Sequence, residues 1–216
     1  AKVFEVLGEL ASQSDADLDA STLCLRAVET AVRLIQREEA RLLLNQAIDR
    51  MPEHLVALTT RADVLEASGD GPAAATALEA VAQTSAVERH RLEAWDQAGL
   101  LWQDRAGNAE RGGAALEQAA NIDVTHGDVF ERLRQLYVDQ NERSKLAALL
   151  ESRLARTSDP AERVGLEVTR AQALAEIGDR GAARATLAAA LDANPEHVEA
   201  LRAFADLCGD EGDWPE

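Results

Sequence analysis

Three histidines, His54, His126 and His197, recur at nearly equal intervals along the chain and are the first residues whose type suggests chemistry. Imidazole is a common metal ligand, so this regular spacing raises the question of a zinc site assembled from distant parts of the chain. The flanking residues answer it. His54 closes Pro52-Glu53-His54 and His197 closes Pro195-Glu196-His197, so both sit where a turn gives way to a helix. Ligands of one zinc lie about 2 Å from the ion. With helices packed about 8–10 Å apart, equivalent turns two helical pairs apart are separated by roughly 20 Å. The three histidines therefore read as equivalent helix starts, and no metal is expected. His90, in Glu88-Arg89-His90-Arg91, has no Cys or His at ligand spacing and reads as a solvated residue near a helix start. Cys24 and Cys208 form no C-x-x-C and read as small buried hydrophobes. No G-x-S-x-G, H-E-x-x-H or G-x-x-x-x-G-K is present. Neither catalytic residues nor a cofactor is therefore expected.

The equivalence of those turns extends to whole segments. PEHLVAL at 52–58 returns as PEHVEAL at 195–201, and the same offset also pairs Arg41, Leu44, Ala47, Asp49, Ala62, Asp63, Gly69 and Asp70 with identical residues. Turn signals fall at Ile35, Gly69, Gly107, Gln140, Gly178 and Gly212, in steps that switch between about 34 and about 38 residues. Short and long units alternate. The long ones carry extra residues at Gln83-Thr84-Ser85-Ala86 and at Arg156-Thr157-Ser158-Asp159-Pro160. A period of this length with two helices in each unit signals a helical repeat array. Twelve helices are expected, from one near residues 2–13 to one near 196–209.

Composition supports helices and narrows the function. The chain has 216 residues, 46% hydrophobic but only 3% aromatic, so its core is built mostly of alanine and leucine. Such packing favours closely stacked helices, because strands prefer β-branched and aromatic side chains. A net charge of −17 argues against binding nucleic acid or acidic membranes, both of which need clustered Lys and Arg. No apolar run approaches the roughly 20 residues that span a bilayer.

Trp95-x2-Ala98-Gly99-x2-Trp102 resembles the first helix of a tetratricopeptide repeat, as do Leu58-x2-Arg61-Ala62-x2-Leu65, Phe130-x2-Leu133-Arg134-x2-Tyr137 and Leu201-x2-Phe204-Ala205-x2-Cys208. The second helix of that pattern is matched by Ala40-x3-Leu44-x2-Ala47 and Ala183-x3-Leu187-x2-Ala190. Arg134, Val124, Arg61 and Arg170 depart from it. The resemblance covers essentially the whole chain and implies an all-α, right-handed superhelical solenoid of antiparallel helix pairs. Residues 1–216 would form one array of five to six repeats. It begins on a second helix and stops at Gly212-Asp213-Trp214, which suggests a fragment truncated at both ends. Trp95, Trp102 and Tyr137 then become core residues. Arg61 and Arg170 are expected either to pack their stems and carry their charges to the surface or to contact a ligand in the groove.

Function in such arrays lies on the concave face, lined by the first helix of each repeat. The i, i+4, i+7 stripes beside the core assign to it Thr59, Asp63 and Glu66, then Asp96, Leu100 and Gln103, and next Glu131, Gln135 and Val138, with Asp104 and Asp139 as their neighbours. Val168, Gln172, Ala175, Arg202 and Asp206 continue it. The middle of this face is acidic. The expected function is a protein-interaction scaffold that binds a peptide or protein; the acids read either as selecting a basic or amphipathic partner or as groups that only keep a chain of net charge −17 in solution. The alternative is a structural spacer or self-assembling array joined end to end.

Overall fold

The computed structural model describes residues 37–50, 52 and 54–209, together with residue 22. The two helices expected before residue 36, Cys24 and Trp214 lie outside these residues. Among the described residues there are ten longer helices and no strand. They are α1 (Arg37–Arg50), α2 (Leu55–Ala67), α3 (Gly71–Thr84), α4 (Glu88–Asp104), α5 (Ala109–Ile122), α6 (Gly127–Asp139), α7 (Arg143–Leu154), α8 (Pro160–Glu176), α9 (Arg180–Ala193) and α10 (Val198–Gly209). The chain divides after Ile122 into two compact units, the first holding α1–α5 and the second α6–α10. In the first, each helix packs on its neighbours in sequence; in the second the same holds, and α8 also touches α10.

Turn chemistry explains why the helices come in pairs. Gly69, Gly107 and Gly178 have φ of +82°, +61° and +86°, and Asn141 takes the same left-handed conformation at +57°. An ordinary side chain resists that region, which is why glycine or asparagine recurs there. The third of these turns thus pivots on Asn141, within the expected Gln140-Asn141 turn. At all four the next amide closes a bond to a carbonyl in the preceding helix: Asp70 to Leu65 at 3.0 Å, Asn108 to Trp102 at 2.8 Å, Glu142 to Tyr137 at 2.8 Å and Asp179 to Leu174 at 2.9 Å. The following helix is then capped. Asp70 accepts from Ala73 N at 3.3 Å, Asn108 from Arg111 N at 3.0 Å and Asp179 from Ala182 N at 3.1 Å. A Gly-Asp pair therefore ends one helix and begins the next.

The other turns use different chemistry. Nδ1 of His54 accepts from Ala57 N at 3.2 Å, and Nδ1 of His197 accepts from Ala200 N at 3.2 Å, so both histidines cap helices. This places the start of the last helix at Val198, two residues beyond the expected boundary. Near His126, the middle one of the spaced histidines, Asp123 organises the turn instead. Its Oδ1 accepts from the Thr125 hydroxyl at 2.6 Å and the Thr125 amide at 2.8 Å. The Thr125 hydroxyl, above all, holds the Asp123 carboxyl below the usual carboxylate range. The long α7–α8 connection is tied by Arg163, whose Nη1 donates to the carbonyls of Leu154 at 2.9 Å and Thr157 at 3.2 Å.

The first unit's core is small-residue packing around a few large side chains. Ala62, Ala74, Ala75, Ala98 and Ala115 are buried together with Leu65, Leu78, Leu101 and Trp102. Helices α4 and α5 cross at glycines. A Cβ on Gly99 would lie 2.8 Å from Leu116 Cγ and 3.2 Å from the Gly112 carbonyl oxygen, so the backbones meet with no room for a methyl group. In the second unit the buried residues include Val129, Phe130, Leu133, Tyr137, Leu150, Val168, Ala171 and Leu187.

Candidate functional site

The expected concave-face residues fall on the first helix of each pair, namely α2, α4, α6, α8 and α10. In the first unit Asp63 and Glu66 are exposed on α2, Asp96 and Leu100 are half-buried on α4, and Asp104 is exposed at its end. Asp63 makes no hydrogen bond or ion pair among the described residues. Although much of its surface meets solvent, partial burial alone raises its carboxyl above the usual range. No counter-charge offsets that burial. Gln103 departs from expectation. A Cβ on Gly112 would lie 2.5 Å from Gln103 Cγ, so the glutamine lies across α5 instead of facing open solvent. Its Nε2 is buried without a hydrogen-bond partner. Sequence spacing missed this because Gly112 leaves a gap that the glutamine stem fills.

In the second unit three assigned groups are engaged along their own helix. Arg134 Nε donates to Glu131 Oε2 at 2.8 Å, and Gln135 Nε2 donates to Asp139 Oδ1 at 2.8 Å. The first offsets the Glu131 charge on its own helix. Val138 is half-buried. Val168, placed on the open face by its spacing, is 4% exposed and belongs to the core.

Gln172 and Asp206 come together. They share the wall of a cavity of ≈ 320 Å³ formed by α8, α9 and α10, with Ala171, Leu187, Ala203 and Leu207 as its apolar lining. Glu176 and Arg180 complete the rim. Those two were absent from the sequence-derived set because they end one helix and begin the next, where an i, i+4 stripe no longer applies. The rim is polar, and the lining is aliphatic.

Arg170 also corrects an expectation. Its Nη1 donates to Thr186 Oγ1 at 3.0 Å and its Nη2 lies 3.3 Å from Glu151 Oε2, so it bridges α7, α8 and α9 instead of extending into solvent. Arg61 is half-buried. Trp102 and Tyr137 are buried as expected, and Trp95 is partly buried against two apolar clusters of the first unit. Among the described residues no group of three or more His, Cys, Asp and Glu side chains could hold a metal ion. No described helix is long and apolar enough to cross a membrane.

Antiparallel helix pairs joined by left-handed turns make this a helical-repeat protein. Its resemblance is to the tetratricopeptide-repeat proteins. Similar solved structures include YrrB, described as a TPR protein with an unusual peptide-binding site, at 13% identity and a TM-score of 0.45, covering 84% of this chain and 90% of that one. The MamA protein is 12% identical with a TM-score of 0.47, covering 91% and 96%. TTC0263, a thermophilic TPR protein of Thermus thermophilus, is 20% identical with a TM-score of 0.36, covering 87% and 98%. No family model and no curated protein matches the sequence.

Proposed function

We propose that this chain is a protein-interaction scaffold whose first helices bind a basic or amphipathic segment of a partner. The observation that carries the reading is the cavity shared by Gln172 and Asp206, a concave, aliphatic-lined space with a polar rim between two first helices. Such a space accepts an apolar side chain while the rim orients the segment bearing it. The acids Asp63, Glu66, Asp96, Asp104, Glu131, Asp139 and Asp206 bias the choice toward cations, on a chain of net charge −17. Leu100, Gln135, Val138 and Gln172 supply the less charged contacts.

The test is a panel of fluorescein-labelled, 15-residue basic amphipathic peptides, with affinity read by anisotropy. Raising salt from 0.1 M to 1 M shortens the Debye length from about 10 Å to about 3 Å, so binding should weaken. It should weaken further with Asp206→Asn and with the combined change Asp63→Asn, Asp96→Asn and Glu131→Gln. A panel that binds the parent and every variant alike at low salt removes the acidic faces from the function.

A further inference from the structure

A second cavity, of ≈ 270 Å³, lies in the first unit between α2 and α4. Its walls are Leu55, Val56 and Thr59 of α2 and His90, Ala94 and Gln97 of α4. Leu78 and Val81 of α3, both buried, form the floor. Glu93 also stands at the rim, but Arg89 Nε holds its carboxylate at 2.7 Å. Among the described residues the space is therefore apolar below, with its one lining acid already paired. Val56 at the lip is 57% exposed, an isopropyl group left in water.

Asp63 follows Thr59 on the same stripe of α2, four residues or about 6 Å along the axis. It is partly desolvated, and no cation among the described residues meets it. An apolar slot and an unpaired acid are thus held at a set separation on one rigid helix. Two ligand geometries match about 6 Å: residues i and i+4 of a helix, or i and i+2 of an extended chain, whose side chains share a face.

We propose that this slot is an anchor subsite for a partner segment that places a leucine-sized side chain between α2 and α4 and a lysine or arginine about 6 Å away on Asp63. The proposal rests on the scaffold reading and gives it a recognition rule: an apolar residue followed at fixed spacing by a basic one. Charge complementarity selects the occupant, since the exposed acids Asp63 and Glu66 repel an acidic segment, and a wholly apolar one would leave Asp63 uncompensated.

The rule is tested with two labelled 12-residue probes, an alanine-rich helical peptide with leucine and lysine four apart and an extended peptide with them two apart. At least one should bind. Replacing its leucine by alanine should cost about 10-fold or more in affinity, the range for burying such a side chain. Asp63→Asn should cost up to about 5-fold and remove most of the salt dependence, as for a solvent-accessible ion pair. Thr59→Phe, at a half-exposed position, should fill the slot and abolish binding, while its thermal melt reports that the helix pair is intact. Binding lost with Asp206→Asn yet indifferent to Asp63→Asn and Thr59→Phe overturns this subsite and leaves the scaffold reading standing. Failure of both probes overturns the spacing rule, and the scaffold reading is then judged by the 15-residue panel alone.

Discussion

The indole N–H of Trp102 donates to Glu79 Oε1 at 2.7 Å, joining the first helix of one pair to the second helix of the pair before it. The other carboxylate oxygen accepts from Arg111 Nη2, also at 2.7 Å, and the Arg111 guanidinium carbon lies 3.7 Å from the Trp102 ring centroid. Helices α3, α4 and α5 therefore share one carboxylate. In an array where each helix touches mainly its neighbours, such a link carries stability from one pair to the next. Trp102→Phe keeps an aromatic ring and removes the donor, and should cost about 1 kcal/mol or more in urea unfolding. A cycle with Glu79→Ala should show coupling of at least about 0.5 kcal/mol. Strict additivity would mean that the bond adds nothing.

Two helical glycines should respond oppositely to alanine. Around Gly165, in α8, an added Cβ would meet nothing within 4 Å, so Gly165→Ala should stabilise by about 0.5–1 kcal/mol through backbone entropy. At Gly99 the same methyl would collide with Leu116 and the Gly112 carbonyl, and overpacking should cost about 1–3 kcal/mol. Thermal melts of the two single variants decide the matter; matching signs would refute the close α4–α5 crossing.

Two aspartates should give stability changes of opposite sign with pH. Burial raises the Asp63 carboxyl, so the stability it contributes is full below its unfolded pKa and is lost as pH rises through the folded value. Asp63→Asn should therefore be slightly more stable than the parent at pH 7, within about 0.5 kcal/mol given its exposure, and equal to it near pH 2. Asp123 is the reverse. Its carboxyl is lowered, chiefly by the Thr125 hydroxyl, so its contribution exists above the unfolded pKa and is lost as pH falls through the folded one. Asp123→Asn should lose stability at pH 7 and converge with the parent in acid. Melting curves across pH 2 to 7 check both signs.

Arg170 and Thr186 provide a test of a guanidinium held among helices. Thr186→Val removes the Oγ1 acceptor 3.0 Å from Arg170 Nη1 and should cost about 1–3 kcal/mol, because the arginine loses a partner where Nε already lacks one. Arg170→Met removes charge and need together and should cost less. If Arg170→Met proved the more damaging of the two in denaturant melts, the guanidinium would be a net stabiliser beyond its hydrogen bonds.

The repeat, the helical class and most turns were legible in the amino-acid sequence, because each rests on interactions within a few residues. Gly69-Asp70 and Gly178-Asp179 specify a left-handed turn and a helix cap wherever they occur, and Pro-Glu-His announces a helix start. Core positions such as Ala98, Trp102 and Tyr137 followed from the same local period. The candidate site was legible only in part. Spacing placed Asp63, Asp96, Gln172 and Asp206 on first helices, but their surroundings depend on residues far along the chain. Gln103 lies over α5 because Gly112 has no side chain, Val168 is buried in the second unit's core, and Arg170 turns inward because Thr186 and Glu151 offer it oxygens. No local period encodes those meetings. A helix's sequence determines which residues share a stripe, whereas the approach of neighbouring helices decides whether that stripe faces water, a cavity or another side chain.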